Sequence, residues 1–188
     1  MAEPHAPVVV PAGATGEKDG IQVGAGPVRV DLFIDFMCPF CRRFELSAWP
    51  ALERLLRDEA ASLVYHPMNF LDGASTTNYS TRAAAASGCA ADGQRFMQYA
   101  HALFIRQPAE GGAGLSDAEL AAIAAEVGLG AGFSVCLDSG KYLDWPPYVT
   151  ARAEVLGVSA TPTVLVNGTQ VAPETEALTS AVERALGS

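Results

Sequence analysis

Val28-Arg29-Val30-Asp31-Leu32-Phe33-Ile34-Asp35-Phe36, followed at once by Met37-Cys38-Pro39-Phe40-Cys41, is the stretch on which the fold turns. Its first part is rich in β-branched and aromatic residues and reads as a buried strand. The strand delivers the chain directly to Cys38. From Pro39 the pattern turns helical, with Phe40, Phe44, Trp49, Leu52, Leu55 and Leu56 recurring at helical steps. Pro50 is expected to kink or restart that helix.

A C-x-x-C at a strand end and helix start has a particular chemistry. The first thiol, Cys38, lies beside unsatisfied backbone N–H groups and the positive end of the helix dipole, and both favour the thiolate. The thiolate is the nucleophile. Cys41, one helical turn inward, is placed to attack a mixed disulfide and release the substrate. Pro39 suits the first helical turn, where its missing N–H does little harm. Arg42 and Arg43 are expected to add positive potential near Cys38. Two other readings stand beside this one. A half zinc site lacks its second half, because no further C-x-x-C or H-x-x-x-H is present and His5, His66 and His101 are scattered. Inert buried cysteines would not require the strand-to-helix setting.

Working outward, Ser62 to Pro67 reads as a second strand, and a right-handed parallel crossover is expected between it and the first. Leu71 to Thr77 carries loop chemistry. Residues 78 to about 106 form an Ala-rich helical stretch ending near Pro108, and Ser116-Asp117-Ala118-Glu119 is a capping box for the next helix. Helical turns follow around Phe133 to Leu137 and from about Pro147 to Leu156. Strands return at Thr163 to Val166, Asn167-Gly168 makes a hairpin turn into Gln170-Val171, and Glu174 to Leu186 is a final amphipathic helix. The expected domains are a loosely ordered lead-in over residues 1–20, a core over 21–73 and 150–188, and an inserted helical domain over 74–149. The expected order is β-α-β, helices, then β-β-α.

Composition narrows the function. The chain has 188 residues, 49% of them hydrophobic, which is enough for a core without metals or cross-links. A formal net charge of -9, with no clustered Lys/Arg run, argues against a nucleic-acid partner. No apolar stretch is long enough to span a membrane. Read from Met1, the chain has no basic segment followed by a hydrophobic signal core and would be cytoplasmic. A chain trimmed of its export signal or anchor would look the same and be extracytoplasmic.

With these residues in view, the chain resembles the DsbA-like branch of the thioredoxin superfamily, the actinobacterial members in particular, from about Gly20 to Leu186. The active-site segment is Asp35-Phe36-Met37-Cys38-Pro39-Phe40-Cys41. Ala160-Thr161-Pro162-Thr163 with Val166-Asn167-Gly168 matches the family's cis-proline loop and hairpin. Arg82-Ala83-Ala84, Gln107-Pro108 and the glycine loop Glu110 to Gly114 resemble actinobacterial members. The resemblance implies an α/β thioredoxin fold, a mixed central sheet flanked by helices and carrying a helical insertion. It also implies dithiol–disulfide exchange with cysteine-containing proteins, as an oxidase, by a monomer that needs a redox-recycling partner and no cofactor beyond the Cys38–Cys41 disulfide. Thr161 and Pro162 would orient an extended substrate segment beside Cys38. A reductase or isomerase on the same fold, and a non-catalytic peptide-binding or chaperone module, are the alternatives.

The chain departs from its relatives in two places. Thioredoxin-like proteins often carry a buried carboxylate six residues before the first cysteine, and here that position is Leu32. Asp35 is the nearest acid and reads equally as a proton relay or as a helix-cap or solvent-facing carboxylate. The Pro39-Phe40 dipeptide lacks the histidine of the strongest oxidants, so weaker thiolate stabilisation and a mid-range potential are expected. The resemblance further suggests a structural disulfide between Cys89 and Cys136, with two separate buried thiols as the alternative. His101 reads as a surface or half-buried polar residue without a partner. Phe40, Trp49, Tyr142, Trp145 and Tyr148 are mostly core candidates. Pro146-Pro147 reads as a hinge or helix start.

Overall fold

A computed structural model describes residues 8–187. Its centre is a five-stranded sheet in the order β1-β3-β2-β4-β5, built from β1 (Ile21–Val23), β2 (Val28–Ile34), β3 (Ala61–Pro67), β4 (Thr163–Val166) and β5 (Thr169–Val171). β2 and β3 run parallel, with Leu32 opposite Tyr65, and the other pairs are antiparallel. Every residue of β2 except Arg29 is buried, so alternate side chains are covered on both faces of the sheet.

Among the described residues seven α-helices surround it: α1 (Pro39–Arg57), α2 (Tyr79–Asp92), α3 (Phe96–Ile105), α4 (Asp117–Glu126), α5 (Ala131–Asp138), α6 (Trp145–Val155) and α7 (Thr175–Leu186). Helices α1 and α7 pack on each other and on the sheet, while α2 to α5 pack among themselves and α3 closes against α1. This is the thioredoxin fold, with five helices between β3 and β4.

Two expectations change and two hold. The helix α1 runs unbroken through Pro50. The helical stretch from residue 78 is two helices, because the chain turns at Gly93 and at Gln94, which has a positive φ of 59°. The prolines at 146 and 147 occupy the first turn of α6, where a missing N–H costs nothing. The Asn167-Gly168 hairpin has positive φ at both residues, 47° and 80°, as a type I′ turn requires.

The lead-in is the main correction. Residues 1–7 of it lie outside the described residues, but from Val8 onward the segment is packed against the body, and β1 is a strand the sequence reading did not assign. Ala14 bridges to Ile21. Ala12 N–H donates to Asp92 Oδ1 (3.0 Å), Trp145 Nε1 to the Lys18 carbonyl (2.8 Å) and Tyr148 OH to the Glu17 carbonyl (3.0 Å). Gly88 makes room for this strap, since a Cβ there would come within 2.8 Å of Pro11 and 2.9 Å of Tyr142. Apart from Ile21 these partners are distant in sequence, which is why local composition reads the segment as loose.

Candidate active site

Strand β2 ends at Ile34, and a turn carries the chain to Cys38, which is the N-cap of α1. The turn is held through Asp35. The Cys38 N–H donates to the Asp35 carbonyl (3.0 Å). The Asp35 side chain accepts from Met37 N–H (2.8 Å), Ser80 Oγ–H (2.7 Å) and Leu71 N–H (2.9 Å). Asp35 therefore closes the turn from a fully buried position and is neither the cap of α1 nor a solvent-facing acid. Burial lifts its pKa to about 6 against these three donors, and the nearby Cys38 sulfur adds to the rise. Asp31 is turned away from the site, bound to Arg29 (2.7 Å) and His66 (2.9 Å).

Both cysteines of the C-x-x-C are free thiols and both are buried, Cys38 with 4% of its surface exposed and Cys41 with none. The Cys41 backbone N–H donates to Cys38 Sγ (3.4 Å), and Cys38 S–H donates across to the Thr161 carbonyl (3.3 Å). That second bond brings together residues far apart in the chain, and the Thr161–Pro162 peptide bond is cis. Hydrogen bonding from the Cys41 thiol does most to lower the Cys38 pKa. Burial opposes it, and the Thr161 side chain and the backbone N–H groups of Cys41 and Phe40 help, leaving Cys38 at about 6. Burial, then the neighbouring Cys38, pushes Cys41 well above the ordinary thiol range. The two thiols are thus shifted in opposite directions, Cys38 toward the thiolate and Cys41 toward the protonated form, as is expected of attacking and resolving groups.

The arginines after Cys41 do not face the sulfur as expected. Arg42 Nε–H donates to the Phe104 carbonyl (3.0 Å), and Arg43 lies over the Phe40 ring at 5.5 Å. Phe40 is 61% exposed, unlike Tyr142 and Trp145, which are core. With Arg43, Phe44, Pro162, Pro173 and Glu174 it lines a groove of about 290 Å³ that runs past Pro162.

The structure adds residues that sequence reasoning missed. Glu45, one turn beyond Cys41 on α1, is buried, and its pKa is raised by burial and drawn back by His101. The Nδ1 atom of His101 lies 3.4 Å from Glu45 Oε1, and its ring stacks on Trp49 at 3.7 Å. His101 therefore has partners after all. A carboxylate on the buried face of an amphipathic helix was the available signal for Glu45. Gln107 stood out only through the resemblance of Gln107-Pro108, with no role attached, and nothing in the sequence points to Ser80 or Leu71. Away from the site, Cys89 of α2 and Cys136 of α5 are joined as a disulfide, S–S 2.01 Å. Among the described residues no cluster of His, Cys, Asp or Glu is able to hold a metal ion, and no helix is long and apolar enough to cross a membrane.

A family model described as thioredoxin matches residues 20–184, which is most of the chain. The chain belongs to the thioredoxin family. Within that family the chain is similar to the DsbA-type thiol–disulfide oxidoreductases. Oxidised DsbA of Mycobacterium tuberculosis superposes with a TM-score of 0.79 at 34% identity, covering 90% of this chain and 94% of that one. Reduced DsbG of the same organism, described as a disulfide bond oxidoreductase, gives 0.81 at 34% identity, covering 92% and 90%. A curated relative, the serine/threonine-protein kinase PknE of Mycobacterium tuberculosis, is 36% identical over 153 residues, 77% of this chain. The chain spans about a quarter of the length of the curated relatives it matches, 26%.

Proposed function

We propose that this chain catalyses dithiol–disulfide exchange with cysteine-containing proteins through Cys38-Pro39-Phe40-Cys41, working as an oxidase. In the oxidising direction the Cys38–Cys41 disulfide is attacked at Cys38 by a substrate thiolate, and Cys41 leaves and takes a proton. A second substrate thiol, losing its proton, then attacks the substrate sulfur of the mixed disulfide and releases the Cys38 thiolate. The substrate loses two electrons and the chain gains them, so a separate redox partner must reoxidise the pair. No other cofactor is required.

The observation that carries the reading is the Cys38 sulfur at the α1 N-cap, hydrogen-bonded by Cys41 and facing the Thr161 carbonyl at 3.3 Å. A stabilised thiolate stabilises the reduced form, which makes the disulfide a better oxidant. The Cys38 value of about 6 lies between the roughly 7 of thioredoxin and the roughly 3.5 of DsbA, in keeping with a dipeptide that lacks histidine. Thr161 and Pro162 orient the substrate, and the groove past Phe40 receives its extended segment.

Oxidative refolding of a reduced protein and reduction of insulin, run on the parent and on Cys38→Ser, test the proposal. Activity in both assays that disappears in the variant supports it. Activity that survives the substitution, or a parent inert in both assays, points to a non-catalytic peptide binder.

A further inference from the structure

Gln107 lies two residues beyond α3, far in sequence from the cysteines, yet its side chain meets the active-site turn. Its Nε2 is 2.9 Å from the Phe36 carbonyl oxygen and 2.9 Å from the Cys38 carbonyl oxygen. Both facing atoms only accept hydrogen bonds, so the carboxamide presents its NH2 group, with one hydrogen to each. The backbone that aims it is constrained on both sides. Gln107 N–H donates to the Phe104 carbonyl (3.3 Å), and Pro108 restricts the residue before it to extended conformations.

We propose that Gln107 is a positioning residue of this site, fixing the turn that presents Cys38 and drawing carbonyl charge away from its sulfur. The inference rests on the reading of Cys38 as the nucleophile. The Cys38 carbonyl is also the first acceptor of α1, taking Arg42 N–H at 3.1 Å, so Gln107 completes its hydrogen bonding. Asp35 holds the same turn by its other carbonyl and its side chain, while Gln107 holds Phe36 and Cys38. Gln107 thus takes the carbonyl oxygens on either side of Met37, and Asp35 takes the N–H groups of Met37 and Cys38. Carbonyl oxygens beside a thiolate repel it, and a donor on each reduces that repulsion. The other titratable groups bearing on Cys38 are Cys41 and Asp35, whereas Arg42 is turned to Phe104. The same contact ties α3 to the nucleophile loop, beside the Phe36–Phe104 ring pair at 5.1 Å.

The test compares the full chain with Gln107→Leu, Gln107→Glu and Gln107→Lys. It measures the pH dependence of Cys38 alkylation by iodoacetamide and the equilibrium with glutathione. Leu removes both donors, and Glu replaces them with acceptors at nearly the same shape. Both are expected to raise the Cys38 pKa by up to about one unit, since one pKa unit and one ordinary hydrogen bond are of similar size. The equilibrium between the chain and glutathione should shift by up to roughly tenfold toward the chain's disulfide, about 30 mV for a two-electron couple. Lys keeps a donor and should titrate near the parent or below it. Thermal melts run alongside separate this from lost packing. Leu and Glu variants that fold and titrate like the parent overturn the inference, as does a folded Lys variant as impaired as Leu. Should Leu not fold, Glu and Lys decide between the same outcomes. A parent that exchanges nothing with glutathione overturns the nucleophile reading itself, and this inference falls with it; that result is distinct from an active parent with unmoved variants.

Discussion

The two cysteine pairs in this chain have the same atoms and opposite surroundings. Cys38 and Cys41 sit three residues apart at a helix N-terminus, among backbone N–H groups, the Asp35 carboxylate and the Thr161 carbonyl. Cys89 and Cys136 sit 47 residues apart on α2 and α5, joined to each other, away from the α1 N-terminus, and line a pocket with Ala85, Leu137 and Tyr142 and with Arg82 and Lys141. The first environment discriminates between its two sulfurs, lowering one pKa and raising the other. The second pair is spent in its own bond, so neither of its sulfurs titrates. Placement relative to helix ends and polar donors, more than the presence of a C-x-x-C, separates a reactive pair from a structural one.

The comparison breaks most visibly at the nucleophile. Cys38→Ser should reduce turnover in both exchange assays to background, whereas Cys41→Ser should still attack and then accumulate as a mixed disulfide, detectable by mass on a non-reducing gel. Replacing Cys89 and Cys136 by Ala should do the reverse. Exchange persists while stability falls by about 2–5 kcal/mol, read from denaturant unfolding of the oxidised chain.

A subtler break is Asp35→Asn. The amide cannot serve Met37, Ser80 and Leu71 together, since its NH2 would face one of the donors, and stability should fall by about 1–3 kcal/mol. Removing the negative charge should also move Cys38 further down from about 6, so alkylation becomes half-maximal at lower pH. The pH dependence of the reduced parent follows from the same depression. A thiol whose folded pKa is lowered contributes stability that is complete above its unfolded value near 9 and is lost as pH falls through about 6. Unfolding midpoints of the reduced chain between those limits check it, with Cys38→Ser as the flat control. The smallest effect is expected at the groove, where Arg43→Ala exposes more of Phe40 and should weaken a peptide substrate severalfold in KM, about 1 kcal/mol.

Much of this could be read from the chain alone because the deciding signals are local. The apolar run of β2, the C-x-x-C at its end, the Ser116/Glu119 capping box and the Asn167-Gly168 turn each specify their own structure within a few residues. What escaped is nonlocal. β1 has three residues and becomes a strand only by pairing with β3. The strap from Val8 to Gly20 is held by Asp92, Trp145 and Tyr148. At the site, Asp35 was visible by proximity to Cys38, but Ser80, Leu71 and Gln107 reach it from loops and helices that only the folded chain brings near. The role of the arginines was misjudged for a related reason, since nearness in sequence says nothing about where a long side chain turns.

A redox titration in glutathione buffers, with alkylated thiols counted by mass, tests the contrast between the two pairs most directly. The account predicts that Cys38 and Cys41 interconvert at a potential above the roughly -270 mV of thioredoxin and below the roughly -120 mV of DsbA. Cys89 and Cys136 should stay bridged throughout, as structural disulfides below about -300 mV do. A Cys38–Cys41 couple at or below the thioredoxin value, or four thiols titrating together, would contradict it.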